Sequence, residues 1–177
     1  MIFRRSHPDF EDGDLGLALG TTPGNVPSQP VEVNSFPPPP PISMDRVGAQ
    51  LRAHGYRFSK DEDGDLTGVW DDNQFWFILG GAAQEVLQVR GRWRNTVPNQ
   101  DRTAAMLAVN DWNRDHLWPK AYFRDEGELT LYAEVSIDLE CGVTDAQLQD
   151  ILACGLVTTV QFFSEIDFIS EADAELS

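Results

Sequence analysis

The run Gln88-Val89-Arg90-Gly91-Arg92-Trp93-Arg94 places three arginines at alternate positions. In an extended strand that spacing puts Gln88, Arg90, Arg92 and Arg94 on one face and Val89, Gly91 and Trp93 on the other. A guanidinium is a planar fork that matches carboxylates and similar anions, and three of them on one face repel one another unless something negative lies near. The negative group could be internal, with Glu134 or Asp138 on a neighbouring strand. It could also be external, an acidic segment or small anion received by a face made of Arg90, Arg92, Arg94, Tyr132 and Glu134. A nucleic-acid reading needs bases to stack on the tryptophans at 70, 76, 93, 112 and 118, but large aromatics at strand and helix spacing usually belong to a core.

Other chemistries find no support in the residue pattern. Asp61-Glu62-Asp63-Gly64-Asp65 looks like a calcium loop, yet with Gly64 in sixth place the first ligand would be Ser59 and the twelfth Trp70, which fails the EF-hand pattern. A solvated turn fits instead. His7, His54 and His116 are not spaced for a metal. No Gly-x-Ser-x-Gly, phosphate-binding loop or dinucleotide fingerprint occurs. Cys154 has no nearby base to make it a nucleophile. Glu134 and Asp138 share a strand face but lie about 13 Å apart along it, too far for a glycosidase pair. The expectation is therefore no catalytic residue, no metal and no cofactor.

Charge narrows the partners. Among 177 residues, 13 Lys and Arg face 29 Asp and Glu, for a net charge of −16. Such a surface repels nucleic-acid phosphate and anionic membranes, so neither is an expected partner. No run of about 18 apolar residues exists, and the acidic stretch after Arg5 does not read as a secretory signal. Cys141 and Cys154 form no C-x-x-C pair and suit a reducing compartment. The expected location is the cytoplasm.

The elements that must position the arginines read as follows. Residues 1–42 are Pro-, Gly- and Asp-rich and end in Pro37–Pro41, a stiff spacer; they are expected to form a disordered tail. Ser43 caps a helix with Met44, Val47, Gly48 and Leu51 on one face and Gly55 as its stop. Strands are predicted over Tyr56–Lys60, Leu66–Trp70, Phe75–Leu79 and Val86–Trp93, joined by short turns as an antiparallel meander. Asn99 and Asp101 open a second helix whose Ala105, Ala108, Val109 and Trp112 share a face. Strands over Lys120–Arg124 and Leu129–Asp138 follow, the latter with one buried and one wet face. Thr144-Asp145-Ala146-Gln147 is a capping box. It starts a third helix with an apolar stripe from Leu148 through Ile151, Leu152, Gly155, Leu156, Thr159 and Val160 to Phe163. An acidic tail, 169–177, ends the chain after a folded domain at 43–168. The fold class is α+β, in the order α-β-β-β-β-α-β-β-α, with helices packed on an antiparallel sheet.

Several blocks together resemble the YbjN-type family of bacterial sensory transduction regulators, in its actinobacterial form. They are Asp63-Gly64-Asp65-Leu66 with Gly68-Val69-Trp70-Asp71-Asp72, Phe75-Trp76-Phe77, Leu87-Gln88-Val89-Arg90-Gly91-Arg92-Trp93, Asn110-Asp111-Trp112-Asn113-Arg114-Asp115 with Leu117-Trp118-Pro119-Lys120, Tyr132-Ala133-Glu134-Val135-Ser136, and Gly142-Val143-Thr144-Asp145-Ala146-Gln147-Leu148. The resemblance covers residues 43–166. It implies a fold similar to type III secretion chaperones, a homodimer, and a regulatory or chaperone-like role with an unidentified protein partner. It supplies no catalytic residue to carry over.

Overall fold

The computed structural model describes residues 37–174; residues 1–36 of the tail expected at 1–42, and the end of the acidic tail, lie outside them. Helix α1 is Met44–Ala53, and the N–H of Arg46 donates to Ser43 Oγ at its start. At its end Gly55 adopts φ +74° and the Tyr56 N–H returns to the Leu51 carbonyl. Four strands follow: β1 (Ser59–Lys60), β2 (Leu66–Trp70), β3 (Asn73–Gly80) and β4 (Val86–Val97). A short 3-10 turn at Asn99–Asp101 leads into α2 (Arg102–Asp115), then β5 (Lys120–Asp125), β6 (Leu129–Asp138) and α3 (Asp145–Ala174). The chain is α+β, and the element order is the expected one.

The six strands form one antiparallel sheet in the order β1-β2-β3-β4-β6-β5. The meander is closed on one side by β6, which returns to pair with β4 along most of its length. All three helices bury their apolar stripes against the sheet or against one another. Val47 and Leu51 of α1, Val109 of α2, and Leu148, Leu152, Leu156, Phe162 and Phe163 of α3 share one core with Phe75, Phe77, Val89, Trp93, Leu131 and Ala133. Fixing α3 close to β4 requires two glycines. A Cβ on Gly155 would stand 2.8 Å from Val89 Cβ, and one on Gly91 would stand 2.7 Å from Thr159 Cγ2. Helix and strand therefore meet almost backbone to backbone.

Four details depart from the sequence reading. Only Ser59 and Lys60 of the expected first strand find partners on β2, because the Tyr56 ring turns back instead to pack edge-on against Trp70 at 5.6 Å. Asn73 is no turn residue: the two-residue loop is Asp71-Asp72, both at positive φ, and Asn73 is buried at the start of β3, where its Oδ1 accepts the Arg94 N–H at 2.9 Å. The helix expected to fray after Phe168 continues to Ala174. Finally, the proline run is anchored at its end. The Pro40 carbonyl accepts the Val143 N–H at 3.0 Å, and Arg46 Nη1 donates to the carbonyls of Pro40 and Pro41, so the folded unit starts before residue 43.

Candidate functional site

Among the described residues, helices cover one face of the sheet and none covers the other, so the exposed side chains of that bare face are candidates to meet a partner. Register fixes which they are. One row across the strands reads Thr67, Trp76, Arg90, Glu134, Lys120. The next reads Val69, Gln74, Arg92, Tyr132, Tyr122. Arg124 stands opposite Thr130 one step further along β5.

Glu134 is the hub of the first row. Arg90 Nε lies 3.4 Å and Lys120 Nζ 3.5 Å from its two oxygens, and the Tyr122 hydroxyl donates to Oε2 at 2.8 Å. Arg90 also donates to the Gln88 side-chain carbonyl. The internal pairing foreseen for Arg90 thus exists and runs through Glu134; Asp138 instead accepts the backbone N–H of Glu140. The face of β6 expected to be wet is largely dry, with Thr130, Tyr132 and Glu134 at 1%, 6% and 9% exposure. Its neighbours β4 and β5 carry long arginine, lysine and tyrosine side chains that lie over it, including Arg124, which sits 5.0 Å above the Tyr132 ring.

Burial and these contacts hold both tyrosines in their neutral form. Tyr122 is pushed up to about 12, first by burial and then by its hydrogen bond to Glu134. Tyr132 is raised by burial and by its bond to Glu126. The two rings stack at 5.8 Å.

Arg92 and Arg94 fare differently from Arg90. Arg92 lies opposite Tyr132, is exposed, and makes no ion pair among the described residues. Arg94 falls where the β4–β6 ladder slips, between Arg92↔Tyr132 and Thr96↔Thr130. That bulge ends the strict alternation on which the three-arginine stripe was inferred. Sequence reasoning brought Arg90, Arg92, Tyr132 and Glu134 to one face. It passed over Trp76, Lys120, Tyr122 and Arg124, although Lys120, Tyr122 and Arg124 alternate as plainly as the arginines of β4 do.

Beside this cluster the turn between β1 and β2 stands at the rim of the face. Asp61 accepts the backbone N–H groups of Asp63 and Asp65, which folds the turn. Asp61, Asp63 and Asp65 form one wall of an open concavity of about 200 Å³, whose other sides are Trp76, Ile78, Arg90, Arg124 and Tyr132. Asp65 is held above the usual aspartate range by burial and then by its two acidic neighbours. Among the described residues no cluster of His, Cys, Asp and Glu is arranged to hold a metal ion, and no helix is long and apolar enough to cross a membrane.

The fold is similar to that in the crystal structure of YbjN, a putative transcription regulator from E. coli. The two match with a TM-score of 0.61 over 73% of this chain and 94% of the other, at 15% identity, a likeness of fold. Residues 43–168 match the family model described as YbjN, putative bacterial sensory transduction regulator, and the chain belongs to that family. Weaker likenesses link it to the HopA1–SchA chaperone–effector complex (TM-score 0.47, 16% identity, 71% of this chain and 97% of the other). The Yersinia pestis secretion chaperone SycH, in complex with a fragment of YscM2, gives 0.43 at 11% identity, over 67% of this chain and 97% of the other. No curated protein matches the chain's sequence.

Proposed function

We propose that the chain is a non-enzymatic regulatory or chaperone-like module of the bacterial cytoplasm, acting as a homodimer, that binds a protein partner on the bare face of its sheet. The observation that carries this reading is the composition of that face. The face carries Trp76, Ile78, Tyr122 and Tyr132 among arginines, the mixture enriched where proteins bind one another. Membership of a family described as sensory transduction regulators agrees with it. No catalytic residue is assigned.

A second reading, a sensor of a small anion, is favoured by one feature: the exposed Arg92 has no ion pair among the described residues. It loses weight because Arg90 is already committed to Glu134. Affinity capture from native lysate tests the module. Partners retained by the wild-type chain should be lost when Trp76 is replaced by aspartate in a variant that melts normally. Retention of every partner by that variant would remove the bare face from the function. Sedimentation equilibrium giving a monomer mass near 19.8 kDa would remove the homodimer.

A further inference from the structure

The concavity is charged at both ends with opposite sign. On the β1–β2 side stand Asp61, Asp63 and Asp65; on the β5 side stands Arg124. Arg90, in the middle, is neutralised by Glu134. Arg124 and Arg92 are exposed and make no ion pair among the described residues. Trp76 and Ile78 lie between the two poles. β2 and β5 are four strand spacings apart, roughly 19 Å, the span of about six extended residues.

Resting on the protein-binding reading above, we propose that this face takes an extended, charge-polarised segment of a partner protein. Acidic residues of the segment lie on Arg92 and Arg124, an apolar side chain covers Trp76 and Ile78, and a lysine or arginine meets the aspartate turn. The argument is complementarity. A uniformly acidic segment would satisfy the arginines but run into three aspartates; a uniformly basic one would do the reverse. Single-stranded nucleic acid fits less well. Its phosphates meet the same aspartates, and of the rings on this face the two tyrosines are taken. Tyr122 and Tyr132 stack on each other, with Arg124 5.6 Å and 5.0 Å from their centres and Lys120 5.3 Å from that of Tyr122.

The test uses the full chain and three labelled hexapeptides, read by fluorescence anisotropy at low ionic strength, where exposed charges are least screened. One peptide carries two glutamates, two leucines and two lysines in that order; the second has glutamates at both ends and the third lysines at both ends. The polarised probe should bind most tightly. Asp63→Lys and the double variant Arg92→Glu/Arg124→Glu should each weaken it about tenfold or more, while Asp63→Lys should tighten the probe with glutamates at both ends. Arg114→Ala, on α2, should change nothing. The milder Asp63→Asn and Arg124→Gln should shift affinity in the same directions, which guards against a reversed variant that folds poorly. If a probe binds equally well whatever its charge order, the polarised segment is wrong and the module survives. If none of the three binds but labelled single-stranded DNA does, or if nothing binds, both the inference and the protein-binding reading fall.

Discussion

The two faces of the sheet are made by the same strands and often by adjacent residues, yet they hold together by different forces. On the inner face Phe75, Phe77, Val89 and Ala133 are fully buried, and α3 is drawn so close that only glycine fits at positions 91 and 155. Cohesion there is apolar burial and shape, which tolerate little change of volume. On the outer face Arg90, Lys120, Tyr122 and Glu134 hold one another by charge and hydrogen bonds around a single carboxylate. The exposed members of that face, Arg92 and Arg124, contribute little net stability, whereas Glu134 is nearly buried and cannot lose its partners cheaply. The difference teaches where to look for function: the exposed arginines of the outer face, which cost little to alter, are free to be specified by what binds them.

Substitutions on the two faces should therefore separate by size. The largest effect is expected inside. Phe77→Ala removes a fully buried ring and should cost about 3–5 kcal/mol in urea unfolding; a loss below about 1 kcal/mol would mean the core is not packed as described. Gly91→Ala adds one methyl that meets Thr159 and Phe163 at 2.7 and 2.8 Å and should cost about 1–3 kcal/mol. A neutral outcome would show that α3 can lift from β4 freely.

Outside, Glu134→Gln removes a nearly buried charge shared by three groups, should cost about 1–3 kcal/mol, and should change an ionisation. Tyr122, held near 12 in the folded chain against 10 for a free tyrosine, keeps its proton longer when folded than when unfolded. Its contribution to stability is whole below pH 10 and is lost as the pH rises towards 12. In Glu134→Gln the tyrosinate absorbance should appear at lower pH than in the wild type; an unshifted titration would show that Glu134 does not hold the hydroxyl. The smallest effect on stability belongs to Arg92→Ala, expected within about 0.5 kcal/mol, together with loss of the captured partner. Arg92→Ala unfolding as readily as Gly91→Ala would erase the distinction between the faces.

Periodicity carried most of the fold. The alternation in Leu129–Asp138 and the capping box at Thr144 yield β6 and the start of α3 as observed, because both patterns are local. What periodicity could not show is what lies beside a strand. The sequence does not say that β6, rather than β5, pairs with β4, and only that pairing brings Glu134 under Arg90 and Tyr132 under the side chains of β5. The same blindness extends to Arg94, since a bulge is a mismatch between two strands and leaves no mark on either alone. The aspartate turn read correctly as a solvated turn, but its place on the rim of the concavity depends on how β1 and β2 hang beside β3.

One side chain on α2 has a consequence for how long the protein stays in solution. Strand β5 ends the sheet, and its outer edge would offer open N–H and C=O groups to any passing strand. The Asn113 amide covers part of that edge: its Oδ1 accepts the Ala121 N–H and its Nδ2 donates to the Ala121 carbonyl, both at 2.9 Å. A carboxylate cannot do both, because an ionised aspartate only accepts. Asn113→Asp would thus leave the Ala121 carbonyl bare and add a charge at the seam. That variant should form edge-to-edge assemblies on standing that the wild type lacks, as light scattering would show.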